Sequence, residues 1–250
     1  MPHGAPNLLI LNRDSIKQGV VDELIRESVA LGLTTPFTDA ERNASLQAAL
    51  GGATPGEDVW LFGYGSLMWN PAFHFAERRA GRVHGFHRRY CMWSAGGRGT
   101  PQQPGLTLAL DRGGSCHGIA FRIEADKARE ELEVVWAREM VGGSYRARWV
   151  TLQSGHSSDG PVRALTFVVN RDHPRYAGDI PRDVATAYLA TAAGPLGSCA
   201  EYLTNTVSHL DELGIVDTQM HGLLDGVRSF RGAPPHGCWE EGAWRIMEKS

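Results

Sequence analysis

The chain is predicted to be an α+β protein, a small mixed and mostly antiparallel β-barrel with flanking helices, and three observations predict it. Between Val59 and Ile123, short apolar runs rich in aromatic and branched residues (VWLFGYGSL, GRVHGFHRRYCMW, GLTLAL, HGIAFRI) are broken by glycine, which is the pattern of strands. From Asp126 to Met140 the apolar spacing becomes helical, and the C-terminal third returns to that period. Strands thus cluster in the middle with helices before, between and after them. Regular strand-helix alternation is missing, which favours an α+β domain over a doubly wound sheet.

Taken in order, residues 1–57 read as a helical N-terminal extension packing on the core. Asp14 or Ser15 starts one helix, Thr38-Asp39-Ala40-Glu41 has capping-box spacing ahead of SLQAAL, and Gly51-Gly52 stops the second helix. Residues 58–222 read as the main domain. It holds the strand runs, the 126–140 helix, two further strands after Gly142-Gly143 (148–152 and 162–169) and a helix at 198–213. That last helix places Tyr202, Val207, Leu210 and Leu213 on one face, with Gly214 as its C-terminal cap. Residues 223–250 form a C-terminal tail, read as irregular over 228–239 because of SFRGAPPHG.

Composition narrows the function classes. A chain of 250 residues with 42% hydrophobic content has enough apolar side chains for a core of its own. The formal net charge of -3 lacks the basic footprint that nucleic acid or an anionic membrane surface would require of a partner. Cys91, Cys116, Cys199 and Cys238 form no CxxC pair, and we read them as reduced thiols of a cytoplasmic protein. The N-terminal MPHGAPNLLILNRDS has no basic segment ahead of its four-residue apolar run, and no stretch approaches the ~18 apolar residues of a membrane helix. His84 and His87 lie three apart in a strand-turn region, and no HExxH spacing occurs, so neither a metal nor another cofactor is expected.

The first candidate site is the loop Gly63-Tyr64-Gly65-Ser66-Leu67-Met68, which follows an apolar strand. Its two glycines let the backbone turn sharply and bring bare N–H groups close to a ligand oxygen. Dinucleotide binding would want a third glycine where Met68 stands, a phosphate loop would want a Gly-Lys-Ser/Thr end, and a nucleophile elbow would want G-x-S-x-G around Ser66. The first two fail and a Ser/His/Asp enzyme is a weak reading, which leaves chiefly a ligand loop or a simple strand-end turn.

The second candidate is Glu139. With Ala128 set to zero and ~100° per residue, Leu132 falls near ~40°, Val135 near ~340°, Trp136 near ~80° and Glu139 near ~20°, in the middle of the apolar stripe. Glu130 and Glu133 fall towards the opposite face and the edge, as solvated carboxylates do. Burying a carboxylate is costly unless it is paired or used, and desolvation raises its pKa towards that of a working base. The alternative is a structural Glu held by Arg138 or Arg146, or a helix that ends before Met140. Arg98, in Gly-Gly-Arg-Gly-Thr, reads either as a guanidinium for a substrate carboxylate or as part of a surface loop.

These residues carry a resemblance. The segments VWLFGYGSLMWNP, RGTPQQPGLTLALDRGGSCHGIAFR, WAREMVGGSY, LTFVVNRDHPRYAG and EYLTNTVSHLDELGI, in that order, resemble the ChaC family of glutathione-specific γ-glutamylcyclotransferases. The resemblance implies the γ-glutamylcyclotransferase-like barrel, glutathione as substrate, and 5-oxoproline with Cys-Gly as products. It implies that Gly63 to Met68 bind the γ-glutamyl part, with Met68 where Ile or Val is commoner, and that Glu139 is the catalytic glutamate of Arg138-Glu139-Met140-Val141-Gly142-Gly143-Ser144-Tyr145. Tyr145 is then expected as a hydroxyl contact. Two alternatives stay open: the same cyclisation on another γ-glutamyl donor, and a non-catalytic γ-glutamyl-binding regulatory protein.

Overall fold

A computed structural model describes residues 9–154, 160–240 and 243–246. Five strands, β1 (Val59–Gly63), β2 (Glu77–Ser94), β3 (Gly105–Ile123), β4 (Tyr145–Ser154) and β5 (Val162–Val169), close into a barrel in the order β1-β3-β2-β4-β5. Every consecutive pair in that order is antiparallel, and a parallel pairing of β1 with β5 at Leu61↔Leu165 closes the ring. The expected mixed, mostly antiparallel barrel is therefore observed.

One expectation about the barrel strands changes. GLTLAL and HGIAFRI are not separate strands but the two halves of β3, paired along nearly its whole length with β2. The register slips between His84 and Phe86, where Gly85, Gly113 and Gly114 take φ of 83°, 99° and 68°. Glycine adopts such angles without a Cβ penalty, so the ladder bends through a bulge where the local sequence reads as a turn.

Before the barrel stand α1 (Arg13–Lys17), α2 (Val20–Ala30) and α3 (Asp39–Leu50), three helices where two were expected. Asn12 caps α1 ahead of the expected start, and Gly19 at φ 86° divides α1 from α2. The Thr38/Glu41 capping box and the stop at Gly51 are as expected. This segment is fastened to the barrel side of the molecule: Arg13 pairs with Glu130 and with the buried Glu131, Asn70 donates to the Leu11 carbonyl at 2.7 Å, and Ser28 Oγ to the Ala95 carbonyl at 3.1 Å.

The short α4 (Ser66–Trp69) follows β1, and α5 (Ala128–Glu139) follows β3. Leu132, Val135 and Trp136 of α5 are buried with Leu108, Phe121 and Phe167 of the strands, and the Trp136 and Phe167 rings meet edge-on with centroids 5.2 Å apart. Burial of side chains of this size contributes about 1.5–3 kcal/mol each, so α5 is held on the barrel by its apolar stripe.

After β5 come α6 (Arg182–Thr191), the two-residue strands β6 (Ala193–Gly194) and β7 (Gly197–Ser198), α7 (Cys199–Glu212) and α8 (Thr218–Ser229). Ser198 caps α7, Gly214 beyond its end has φ 67°, and Tyr202, Val207 and Leu210 are buried. The C-terminal expectation is corrected in part. α8 runs unbroken across residue 222, and β8 (Gly237–Glu240) pairs with β9 (Ala243–Ile246) where an irregular tail was read. The tail is organised by anchors remote in sequence, Trp244 Nε1 donating to the Tyr188 hydroxyl at 2.8 Å and Trp239 Nε1 to the Pro101 carbonyl at 2.7 Å.

The segment between β5 and α6 is pinned by Asp111 of β3, whose side chain is fully buried. Its carboxylate accepts from Arg171 Nε at 2.6 Å and from the Tyr176 hydroxyl at 2.8 Å, and pairs with Arg89 at 3.4 Å. Arg89 also reaches the Gly178 carbonyl and Asp179.

Candidate active site

Glu139 is the last residue of α5, with Met140 as the cap, and its side chain is 16% exposed. The stripe geometry holds: Glu139 points to the protein side while Glu130 and Glu133 are half or more exposed. Part of the alternative holds too, since Arg138 Nε stands 3.1 Å from Glu139 Oε1; Arg146 instead pairs with Asp172. Burial pushes the Glu139 carboxyl above its usual pKa, and the neighbouring Arg138 charge recovers only some of that shift.

The glycine loop turns at the end of β1 and enters α4. A Cβ at Gly63 would lie 2.9 Å from the Leu67 Cβ, and one at Gly65 would lie 3.0 Å from the Tyr202 hydroxyl oxygen. A side chain at Gly63 would force α4 to shift, and one at Gly65 would press on the Tyr202 hydroxyl, which would have to give way. Arg138 fastens the loop to α5 by donating to Ser66 Oγ at 2.8 Å and to the Asn70 carbonyl at 2.6 Å. A guanidinium on Ser66 Oγ is a donor and takes no proton from it, so the serine has no activating base there.

Loop and glutamate meet in a chamber of about 30 Å³ walled by Tyr64, Gly65, Ser66, Leu67, Glu139 and Tyr145, with Tyr202 and parts of β3 and β5 completing it. Ser66, Glu139, Tyr145 and Tyr202 also line a larger cleft of about 410 Å³. Gly63 and Met68 line neither; Gly63 is paired with Ile119 in the sheet, and Met68 is buried in the core. Arg98 lines the outer cleft, where its Nη1 donates to Glu201 at 3.2 Å and to the Ser198 carbonyl at 3.3 Å, and its guanidinium lies 5.5 Å over the Tyr202 ring.

Three tyrosines surround the carboxylate. Tyr64 donates to the Phe167 carbonyl and Tyr145 to the Leu108 carbonyl, each at 2.9 Å, and Tyr202 lies against Ser66. Burial raises all three phenol pKa values and the Glu139 charge pushes the same way, so each hydroxyl keeps its proton. Tyr202 was read from sequence as part of a core face. The signal that singles out Glu139, a polar group in an apolar stripe, applies to its hydroxyl as well.

Two further features escape local reading. Leu11, Val21, Leu24 and Ser28 of the N-terminal segment wall the outer cleft, and so does Arg175, from the segment after β5. His84 and His87 lie elsewhere, on Gln153 and the Gly113 carbonyl. Among the described residues no cluster of three or more metal-ligating side chains occurs, and no helix is long and apolar enough to cross a membrane.

A closed mixed barrel with a glycine loop leading from β1 to a buried carboxylate defines a γ-glutamyl cyclotransferase-like fold. The crystal structure of a selenomethionine-labelled γ-glutamyl cyclotransferase specific to glutathione from yeast superposes with a TM-score of 0.63 at 23% identity, covering 70% of this chain and 97% of that one. The ChaC-like protein family matches residues 59–230. A glutathione-specific γ-glutamylcyclotransferase of Escherichia coli K12 is 41% identical over 191 residues, 76% of this chain and 81% of that protein. A mouse glutathione-specific γ-glutamylcyclotransferase 1 is 30% identical over 207 residues, 81% of this chain and 92% of its own. The chain belongs to the ChaC-like family.

Proposed function

We propose that this protein is a γ-glutamylcyclotransferase that cleaves glutathione to 5-oxoproline and Cys-Gly, with Glu139 as general acid and base. The observation that carries this reading is the meeting of Glu139 with the glycine loop in one chamber. The activity of the bacterial and mouse relatives supports glutathione as the substrate.

The chemistry asks little of the protein. The substrate's α-amine attacks its own γ-carbonyl, the lactam C–N bond forms, and the amide bond to the cysteinyl nitrogen breaks. Holding the chain in attack geometry is worth about 7–11 kcal/mol for well-oriented intramolecular reactions. Glu139 takes the proton of the α-ammonium, whose reference pKa is ~7.7–8.0 in peptides, and returns it to the departing amine. A carboxyl with a raised pKa is better matched to that exchange than an exposed one.

N–H groups opening α4, at Gly65 to Leu67, face the γ-carbonyl in this reading, and each such donor is worth about 2.7–4 kcal/mol in acyl transfer. Gly63 and Met68 shape the loop from behind. Tyr145, having spent its proton on Leu108, offers its oxygen as an acceptor. Arg98, tied at Nη1 by Glu201 and the Ser198 carbonyl, presents its remaining N–H groups to polar atoms of the substrate at the outer-cleft end. The reading places the protein in the cytoplasm, where its four free cysteines stay reduced.

The test is a chromatographic product assay. Purified protein is expected to release 5-oxoproline and Cys-Gly from glutathione and to act far more weakly on γ-glutamyl-alanine. Equal or better turnover of γ-glutamyl-alanine assigns another donor, and binding of glutathione without product makes the protein a γ-glutamyl-binding one. Gly65→Ala, by pressing a methyl on the Tyr202 hydroxyl, should lower kcat/KM by about 10-fold, less than the ~100-fold of a full 1 Å misplacement. Steady-state kinetics within a few-fold of the unaltered protein would show that the loop tolerates the shift.

A further inference from the structure

Three arginines line the outer cleft, and two of them already face a carboxylate: Arg98 has Glu201 and Arg138 has Glu139. Arg175 has no acidic partner among the described residues. Its Nε donates to the Trp93 carbonyl at 2.7 Å, while its own N–H goes to His173 Nδ1 and its carbonyl accepts from the Trp93 N–H at 2.9 Å. One edge of the guanidinium is thus bound to β2, and no protein group takes the terminal nitrogens among the described residues. Burial lowers the pKa of this arginine, the mark of a desolvated cation that no neighbouring anion compensates. The segment that bears it is immobilised through Arg171 and Tyr176 on Asp111. A cation held rigid, desolvated and open towards a cleft is built for an anion that comes from outside the chain.

We propose that Arg175 is a specificity-determining residue that binds the terminal carboxylate of the leaving peptide, the glycine carboxylate when the substrate is glutathione. This rests on the cyclisation proposed above. The choice between the two carboxylates of glutathione follows from the walls. The α-carboxylate is one carbon from the α-amine and in this reading sits with it between Glu139 and the glycine loop, whose Tyr64, Gly65 and Leu67 line only the inner chamber that Arg175 does not reach. Arg175 lines only the outer cleft, the space left in this reading for the departing part of the substrate. The protein is thereby fitted to γ-glutamyl peptides that end in a free carboxylate, and not to γ-glutamyl amines.

The experiment compares glutathione with glutathione whose glycine carboxylate is an amide, for the unaltered protein, Arg175→Met and Arg175→Lys. The unaltered protein should lose about 10- to 100-fold in kcat/KM on the amide, the range of a hydrogen-bonded charged pair. Arg175→Met should lose a similar factor on glutathione, mainly in KM, and treat both substrates alike, while Arg175→Lys recovers part of the preference. Equal turnover of both substrates by the unaltered protein overturns the proposal. So does a preference that survives in Arg175→Met, or an equal loss on both substrates carried by kcat. Should the unaltered protein release no 5-oxoproline, the cyclisation reading fails on its own, and calorimetric binding of the same two peptides to the same proteins still decides the role of Arg175: a preference for the free carboxylate that vanishes in Arg175→Met supports it, and its absence refutes it.

Discussion

Glu139→Gln should remain folded, bind glutathione, and release 5-oxoproline about 100- to 10,000-fold more slowly, the usual contribution of a positioned general acid-base group. The loss should fall on kcat, because the amide keeps the size of the side chain and gives up only the proton acceptor. The base acts ionised, and burial lifts its pKa above the usual carboxylate range. The acid limb of the unaltered protein's kcat/KM profile should accordingly lie above that range and be missing from whatever rate the variant retains. Stability should move the other way. A carboxyl whose pKa is higher folded than unfolded carries a cost that appears as pH rises above the unfolded value and is complete above the folded one. The variant should therefore melt at or above the unaltered protein at pH 7, and the two should converge at pH below the ordinary Glu value. Thermal melts across pH would contradict this if the variant were the less stable at pH 7 and unchanged in acid.

Asp111→Ala should cost about 1–3 kcal/mol, the range for buried hydrogen-bond partners left unsatisfied, because Arg171 is 42% exposed and Arg89 keeps Asp179. Two arginines, Arg89 and Arg171, would lose their shared carboxylate, and the Tyr176 hydroxyl its acceptor. Burial by itself would raise the Asp111 pKa, but the bonds from Arg171, Tyr176 and the Arg112 N–H outweigh it and hold the carboxyl below its usual value. Its contribution is thus present above the ordinary Asp pKa and is lost as pH falls through the lower folded value. Denaturant unfolding at pH 7 checks the magnitude, and a change below about 1 kcal/mol would mean that the network is dispensable. Since the same carboxylate fixes the segment bearing Arg175, Asp111→Ala should also raise KM for glutathione.

Much of the fold is written in local patterns. The capping box at Thr38 and Glu41, the apolar stripe of α5 and the Ser198-to-Gly214 limits of α7 all rest on neighbours within a few residues, so the chain read alone places them correctly. The misread elements depend on distant partners. Gly113-Gly114 looks like a turn until β2 holds the strand together on both sides of it, and the C-terminal hairpin has no visible reason to form before Trp244 meets Tyr188.

The site divides along the same line. Glu139 and the glycine loop are identifiable from the sequence because a carboxylate in an apolar stripe and bare backbone after a strand are anomalies that local periodicity exposes. Their company is not so marked. Arg138 bridging Glu139 to Ser66, Tyr202 closing the chamber from α7, the N-terminal segment walling the cleft and Arg175 standing without a counterion are each a relation between residues far apart in the chain. An arginine is ordinary wherever it occurs in a sequence. Its surroundings become a constraint once folding has removed the water, and which charges then lack a partner is settled by the packing of the barrel and its helices, not by the order of residues along it.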